Sequence, residues 1–205
     1  MSDVAVVDYG MGNLHSALKA FRRLGAEPEV VAAPGGVASA RRLVLPGVGH
    51  FGRAMANLEA SGLRGALDEA VLGRGVPLLG ICLGMQLLAR HSEEGDAAGL
   101  GWIDADVVRF RVSDPLRFKV PQMGWNAMRP TRESPLTRGL PDDAEFYFVH
   151  AYHLRCPDPA PVLGETVYDY PFASAVGRDN VLGVQFHPEK SHDAGARLLA
   201  NFLAL

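Results

Sequence analysis

The chain has 205 residues, enough for one compact domain with a good core and too few for two comfortable ones. It is 48% hydrophobic and 21% charged with a net charge of -3, a globular balance that points to neither a nucleic-acid nor a membrane-surface partner. Its two cysteines, Cys82 and Cys156, cannot build a disulfide framework and suit a reducing cytoplasm. No apolar stretch approaches the ~20 residues of a membrane span, and the start at Met1-Ser2-Asp3-Val4 lacks the basic region of a signal peptide, so a cytoplasmic protein is expected.

In chain order, residues 4–7 read as an apolar strand and residues 13–24 as an amphipathic helix with Leu14, Ala17, Leu18, Phe21 and Leu24 on one face. Residues 28–31 and 43–45 are the second and third strands. A helical pattern follows from residue 52 to about 72, broken near Ser61-Gly62. The run Val76-Pro77-Leu78-Leu79 is a fourth strand, and helix formers extend from Leu83 to Arg90. This alternation predicts an open, flavodoxin-like, mostly parallel sheet with helices on both faces. After Trp102 the pattern changes to short β-type runs at 107–110, 146–149, 162–166, 173–176 and 181–186, expected as antiparallel or mixed strands beside the parallel core. Residues 193–205 close the chain as a helix, with Ser191 or Asp193 as N-cap. There is no repeat, low-complexity tract or linker, and the chain reads as one domain over 1–205.

Between the fourth strand and its helix lies Gly80-Ile81-Cys82-Leu83-Gly84, which reads as a nucleophile elbow. Such a turn needs small residues two positions either side of the nucleophile so that the backbones can pass. It also sets the thiol at a helix N-terminus, where the dipole favours a thiolate. Alone, the pentapeptide is equally compatible with a buried structural cysteine. A hundred residues on, Gln185-Phe186-His187-Pro188-Glu189 supplies partners. Pro188 pushes His187 into extended backbone, where residues i and i+2 share a side, so Glu189 is expected to orient the His187 imidazole.

Two glycine turns, Gly10-Met11-Gly12 and Pro46-Gly47-Val48-Gly49, follow the first and third strands and should emerge at the same carboxyl edge as the elbow. The second can offer N–H groups to an oxyanion, and the expected pair is Leu83 with Val48 or Gly49. Gly10-x-Gly12 lacks the third glycine and the acidic residue of a dinucleotide fingerprint, so no such cofactor is expected. His15, His50, His91, His150, His153 and His192 show no paired ligand spacing. They are expected in turns or on the surface, with no metal.

The elbow Gly80-Ile-Cys-Leu-Gly-Met-Gln86 together with Gln185-Phe-His-Pro-Glu189 resembles the signature pair of class I, triad-type glutamine amidotransferases. Segments from Asp8-Tyr-Gly-Met-Gly-Asn-Leu-His15 through Pro46-Gly-Val-Gly-His-Phe51, Pro121-Gln-Met-Gly-Trp-Asn126 and Tyr147-Phe-Val-His150 to His187-Pro-Glu-Lys-Ser191 are similar to the glutaminase subunits of imidazole glycerol phosphate synthases. The departures are Gln122, where such subunits more often carry His, and Ala151, where they carry Ser or Thr. The resemblance implies Cys82, His187 and Glu189 as a catalytic triad hydrolysing L-glutamine through a thioester. It implies Gln86, Gly47 and the backbone of His150, Ala151 and Tyr152 as the glutamine site. It also implies a (β/α)8-barrel cyclase partner, met by Asn13, Trp125, Tyr147 and Lys190. That partner would receive ammonia through a channel and form imidazole glycerol phosphate and AICAR ribonucleotide in histidine biosynthesis. Three alternatives stand beside this reading: a glutaminase serving another synthase, a cysteine hydrolase of related fold, and a non-catalytic binding subunit.

Overall fold

The computed structural model describes residues 3–205; Met1 and Ser2, part of the segment read as lacking a basic leader, lie outside the described residues. Four strands form the parallel centre: β1 (Val4–Val7), β2 (Pro28–Val31), β3 (Leu43–Gly47) and β4 (Leu78–Cys82). They lie in the order β2-β1-β3-β4, followed by Val181–Val184, which is parallel to β4. That is the flavodoxin-like arrangement expected from the alternating pattern. Beyond Val181–Val184 the sheet turns antiparallel through Pro171–Arg178, Tyr152–Arg155 and Asp106–Arg109. A separate antiparallel ribbon pairs Gln122–Ala127 with Glu145–His150.

The two-residue period of β1 divides the core. Ala5 and Val7 face one buried cluster with Leu43, Leu45, Phe51, Leu58 and Leu67, while Val4 and Val6 face another with Phe21, Val44, Leu198 and Phe202. The first cluster is covered by α2 (Pro34–Ala38), α3 (Phe51–Ala60), α4 (Leu63–Asp68) and α5 (Leu83–Leu87). The second is covered by α1 (Leu14–Arg23) and α6 (His192–Leu203). None of these helices is long and apolar enough to cross a membrane.

Several boundaries differ from expectation. The helix after the elbow ends at Leu87 rather than Arg90. The carbonyls that would continue it are taken from elsewhere: Leu87 O accepts from Leu100 N, Leu88 O from Trp102 N and Ile103 N, and Ala89 O from Gly101 N. Tertiary bonding overrides local propensity there. Short α2, with Pro34 in its first turn, and the strands Gln122–Ala127 and Tyr152–Arg155 escaped the sequence pattern. Gln122–Ala127 contains glycine and two amides, and is ordered by its cross-strand partner rather than by propensity. Ser191 occupies the N-cap position of α6, but its hydroxyl makes no capping bond. It donates to His187 O at 2.6 Å and accepts from Tyr147 N at 3.0 Å.

Candidate active site

Cys82 ends β4 with φ 55° and ψ -111°, outside even the left-handed helical basin. A Cβ in that region costs ~1–3 kcal/mol and persists only where the surroundings impose it. The surroundings here are two glycines. A Cβ on Gly80 would lie 2.7 Å from Gly84 O, and one on Gly84 would strike Leu45 O. Both contacts are with backbone, which cannot step aside, so the elbow requires glycine at each position. The β3–β4 register then sets Gly47 opposite Cys82 and carries the turn Pro46–Gly49 past the thiol.

That turn is held from below. Tyr9, buried just beyond β1, donates its hydroxyl to Pro46 O at 2.7 Å. Burial, and secondarily the Cys82 sulfur, push the phenol's pKa upward, so it stays a donor. Gly49 sits at φ +113°, where an added Cβ would come 2.8 Å from Met11 Cε. Between this turn, the elbow and the ribbon opens a pocket of about 330 Å³ lined by Val48, Gly49, Cys82, Leu83, Gln86, Glu94, Pro121, Val149, His150, Ala151 and Tyr152. A larger pocket of about 640 Å³ at Pro130–Asp142 shares no residue with it, so volume alone does not locate the thiol site.

His187 is fixed by its backbone: its N–H donates to Tyr147 O at 2.9 Å and its carbonyl accepts from the Ser191 hydroxyl. Its Nδ1 lies 2.8 Å from Glu189 Oε1, both side chains being buried. The pairing was expected from an extended i, i+2 relation. His187 is extended, but Pro188–Lys190 is a 3-10 turn, and the turn brings the carboxylate back onto the ring. His187 Nε2 and Glu189 Oε2 have no hydrogen-bond partner. Burial opposes protonation of His187, yet the adjacent Cys82 sulfur and Glu189 carboxylate outweigh it and hold the imidazole's pKa up at about 9.

Gln86, on α5, is buried. Its Nε2 donates at 3.0 Å to Tyr152 O and at 3.0 Å to Gln185 Oε1, leaving Oε1 for a ligand. His150 and His153, expected in turns or on the surface, are also buried. They lie on strands beneath Phe110 and Phe172, which pack their rings at 4.6–5.5 Å. His150 Nδ1 donates to Tyr152 O at 2.7 Å, and its Nε2 is buried without a partner. Burial is the main force lowering its pKa to about 3.

The four residues expected at a partner surface lie outside this pocket. Asn13 accepts from Ser16 N at 3.4 Å as the N-cap of α1. Trp125, 46% exposed, stacks on His192 with centroids 5.0 Å apart and meets Tyr147 edge-on at 6.1 Å. Lys190 Nζ lies 5.7 Å from the centre of the Tyr147 ring. Tyr147 and Val149 share a face of their strand, so one ribbon edge joins this aromatic cluster to the thiol pocket.

The model of the family described as glutamine amidotransferase class-I matches residues 5–205. The chain belongs to the class I glutamine amidotransferases. Within the family it is similar to the imidazole glycerol phosphate synthase subunit HisH of Neisseria meningitidis serogroup A, 48% identical over 97% of this chain and 98% of that one. The HisH subunit of Moorella thermoacetica is 49% identical over 98% of this chain and 94% of its own. Two solved structures share the fold. The PurLQS structure from Thermotoga maritima superimposes with a TM-score of 0.78 at 20% identity, covering 100% of this chain and 99% of that one. A glutamine amidotransferase crystal structure gives 0.76 at 22% identity, covering 98% and 97%.

In this amidotransferase, Tyr9, Glu94 and Gln185 gain their places at the site only through the fold. Glu94 lines the pocket and accepts from Phe51 N, the first amide of α3, at 2.8 Å. Its only signal in the sequence is a carboxylate in a short polar loop, which nothing local distinguishes. Among the described residues, no group of three or more His, Cys, Asp or Glu is placed to hold a metal ion.

Proposed function

We propose that this chain is a glutaminase with a Cys82–His187–Glu189 triad, and that it supplies ammonia to the cyclase subunit of an imidazole glycerol phosphate synthase. The observation that carries the reading is the strained Cys82 thiol facing a pocket, beside a buried imidazole whose Nδ1 is bonded to Glu189. The relatives that match nearly the whole chain are HisH subunits of such synthases, which supports the choice of pathway.

In this reading the whole chain acts as one glutaminase domain. L-Glutamine enters with its side-chain amide at Cys82 and its amino-acid end toward Gln86 and the His150–Tyr152 backbone. The rim carboxylate of Glu94 gives the substrate's ammonium a counter-charge. The thiolate attacks the amide carbon, and the oxyanion is met by Leu83 N–H and by an N–H of Val48 or Gly49. Donors of this kind are worth roughly 3–4 kcal/mol each. His187, protonated below about pH 9, delivers its Nε2 proton to the departing ammonia. It then removes a proton from the water that hydrolyses the thioester. Glu189 keeps the ring oriented throughout. Ammonia leaves along the Val149–Tyr147 face toward a barrel partner docked on Trp125, Tyr147, Lys190 and Asn13, in a cytoplasmic complex with no bound cofactor.

The test is glutamate release from L-glutamine by the chain alone, then with the cyclase barrel and its phosphoribosyl ligand, with Cys82→Ala as control. Strong stimulation that vanishes in Cys82→Ala is the expected result. Full activity without the barrel would move the chain to another ammonia pathway, and absence of any Cys82-dependent release would overturn the triad.

A further inference from the structure

Gln185 is fully buried beside the thiol, and no step of the glutaminase reaction described above employs it. Its Nε2 lies 3.7 Å from Cys82 Sγ, within hydrogen-bonding range for sulfur, and its Oε1 lies 3.0 Å from Gln86 Nε2. The direction of this chain is not arbitrary. Tyr152 O is a backbone carbonyl and can only accept, so the Gln86 group facing it must be the NH2. The second hydrogen of that NH2 must find an acceptor, which makes the facing atom of Gln185 its oxygen. The remaining end of Gln185, the one against the sulfur, is therefore an N–H donor.

Among the sulfur's other polar neighbours is an acceptor, Val149 O at 4.0 Å. A neutral thiol can satisfy that carbonyl by donating to it. A thiolate cannot, but it accepts more strongly than a thiol from the Gln185 N–H. The two contacts thus favour opposite protonation states of the same atom.

We propose that Gln185 is a positioning residue for the Cys82 nucleophile, and that Gln86 orients it: a buried amide relay running from Tyr152 O through both glutamines holds one N–H donor on the sulfur and favours the thiolate. The inference rests on the glutaminase reading of the site, since it gives that reaction its nucleophile. It also gives Gln86 a second task besides meeting the substrate. The titratable groups facing the sulfur are Tyr9, just beyond β1, and His187; Glu189 stands behind His187 on its Nδ1, His150 of the ribbon lies next to His187, and Glu94 lines the same pocket.

The experiment is the pH profile of Cys82 alkylation by iodoacetamide, read in the full-length chain with Cys156→Ser as background and followed by mass. Gln185→Met, near in volume and lacking both donor and acceptor, should alkylate about tenfold more slowly at neutral pH, the loss of one charge-assisted bond, with the deficit closing as pH rises. Gln185→Glu keeps the acceptor for Gln86 and turns a carboxylate oxygen toward the sulfur, so it should be slower still. A merely structural role would lower the unfolding midpoint without moving the pH profile. Should either variant fold poorly, the unmutated chain carries the test. The 15N-labelled side-chain amide of Gln185 should titrate in step with the alkylation profile and lose that titration in Cys82→Ala. An amide resonance that stays flat with pH, or a Gln185→Met profile superimposed on the parent's, overturns the proposal while glutamate release by the parent stands. Failure of the glutaminase reading looks different: no glutamate release by the parent, whatever Gln185 does to alkylation.

Discussion

Replacing Cys82 by glycine and by alanine separates the strain of the elbow from its chemistry. At an ordinary strand position glycine is less stable than alanine by ~0.5–1 kcal/mol, because it loses more backbone entropy on folding. At Cys82, with φ 55° and ψ -111°, alanine keeps a Cβ in a region open essentially only to glycine. That conformation costs ~1–3 kcal/mol, and glycine removes it. The order should therefore reverse, with Cys82→Gly more stable than Cys82→Ala by about 1 kcal/mol, or a melting point higher by about 2–4 °C for a chain of this length. Both variants lose the sulfur's packing equally, so that loss cancels in the comparison. Urea unfolding followed by tryptophan fluorescence measures it, since Trp102 is buried and Trp125 is half exposed. Neither variant should release glutamate. If glycine proves the less stable by the ordinary margin, the elbow holds no strain and the reasoning from its dihedral angles fails.

Glu189→Gln should lower kcat by on the order of 10²–10⁴, since the amide cannot hold the imidazolium as the carboxylate does. It should also move the alkaline limb of kcat/KM down from near pH 9, because Glu189 is one of the groups raising His187. The sign for stability follows: the folded-state value of His187 lies above its ordinary 6.5, so its proton stabilises the fold fully below pH 6.5 and the contribution is lost as pH rises through about 9. His150 runs the other way. Buried neutral with its pKa lowered to about 3, it stabilises above pH 6.5 and weakens the fold as pH falls toward 3. The slope is up to ~1.4 kcal/mol per pH unit, so His150→Gln should flatten the fall of the urea midpoint between pH 6 and 4. Trp125→Ala should cut stimulation by the cyclase barrel severalfold and leave Cys82 alkylation in the isolated chain unchanged, as judged by paired glutaminase and alkylation assays.

The parallel centre of the fold and the strand-to-helix elbow at Cys82 were legible in the linear chain, because each is written locally. Apolar runs of four or five residues between amphipathic stretches allow few arrangements other than a wound parallel sheet. Gly80-Ile-Cys-Leu-Gly84 admits the strained Cys82 backbone where bulkier neighbours would clash. What the chain left unwritten were relations between distant atoms. The early end of α5 is set by Leu100 to Ile103, beyond the helix, and the burial of His150 and His153 arises from the aromatic rings packed on them. The turn that seats Glu189 on His187 is anchored through Tyr147, 40 residues before that histidine. The hold of Tyr9 on Pro46, the place of Glu94 on the pocket rim and the amide relay to the sulfur likewise depend on partners distant in the chain. Gln86 shows the division most clearly. Locally it is one polar residue on a short helix, and only closure of the sheet brings Tyr152, 66 residues on, and Gln185, 99 residues on, within 3.0 Å of its amide. Local sequence sets which backbone shapes and chemical groups are available. Packing sets their distances, burial and proton affinities, because these depend on which side chains the fold brings around each atom.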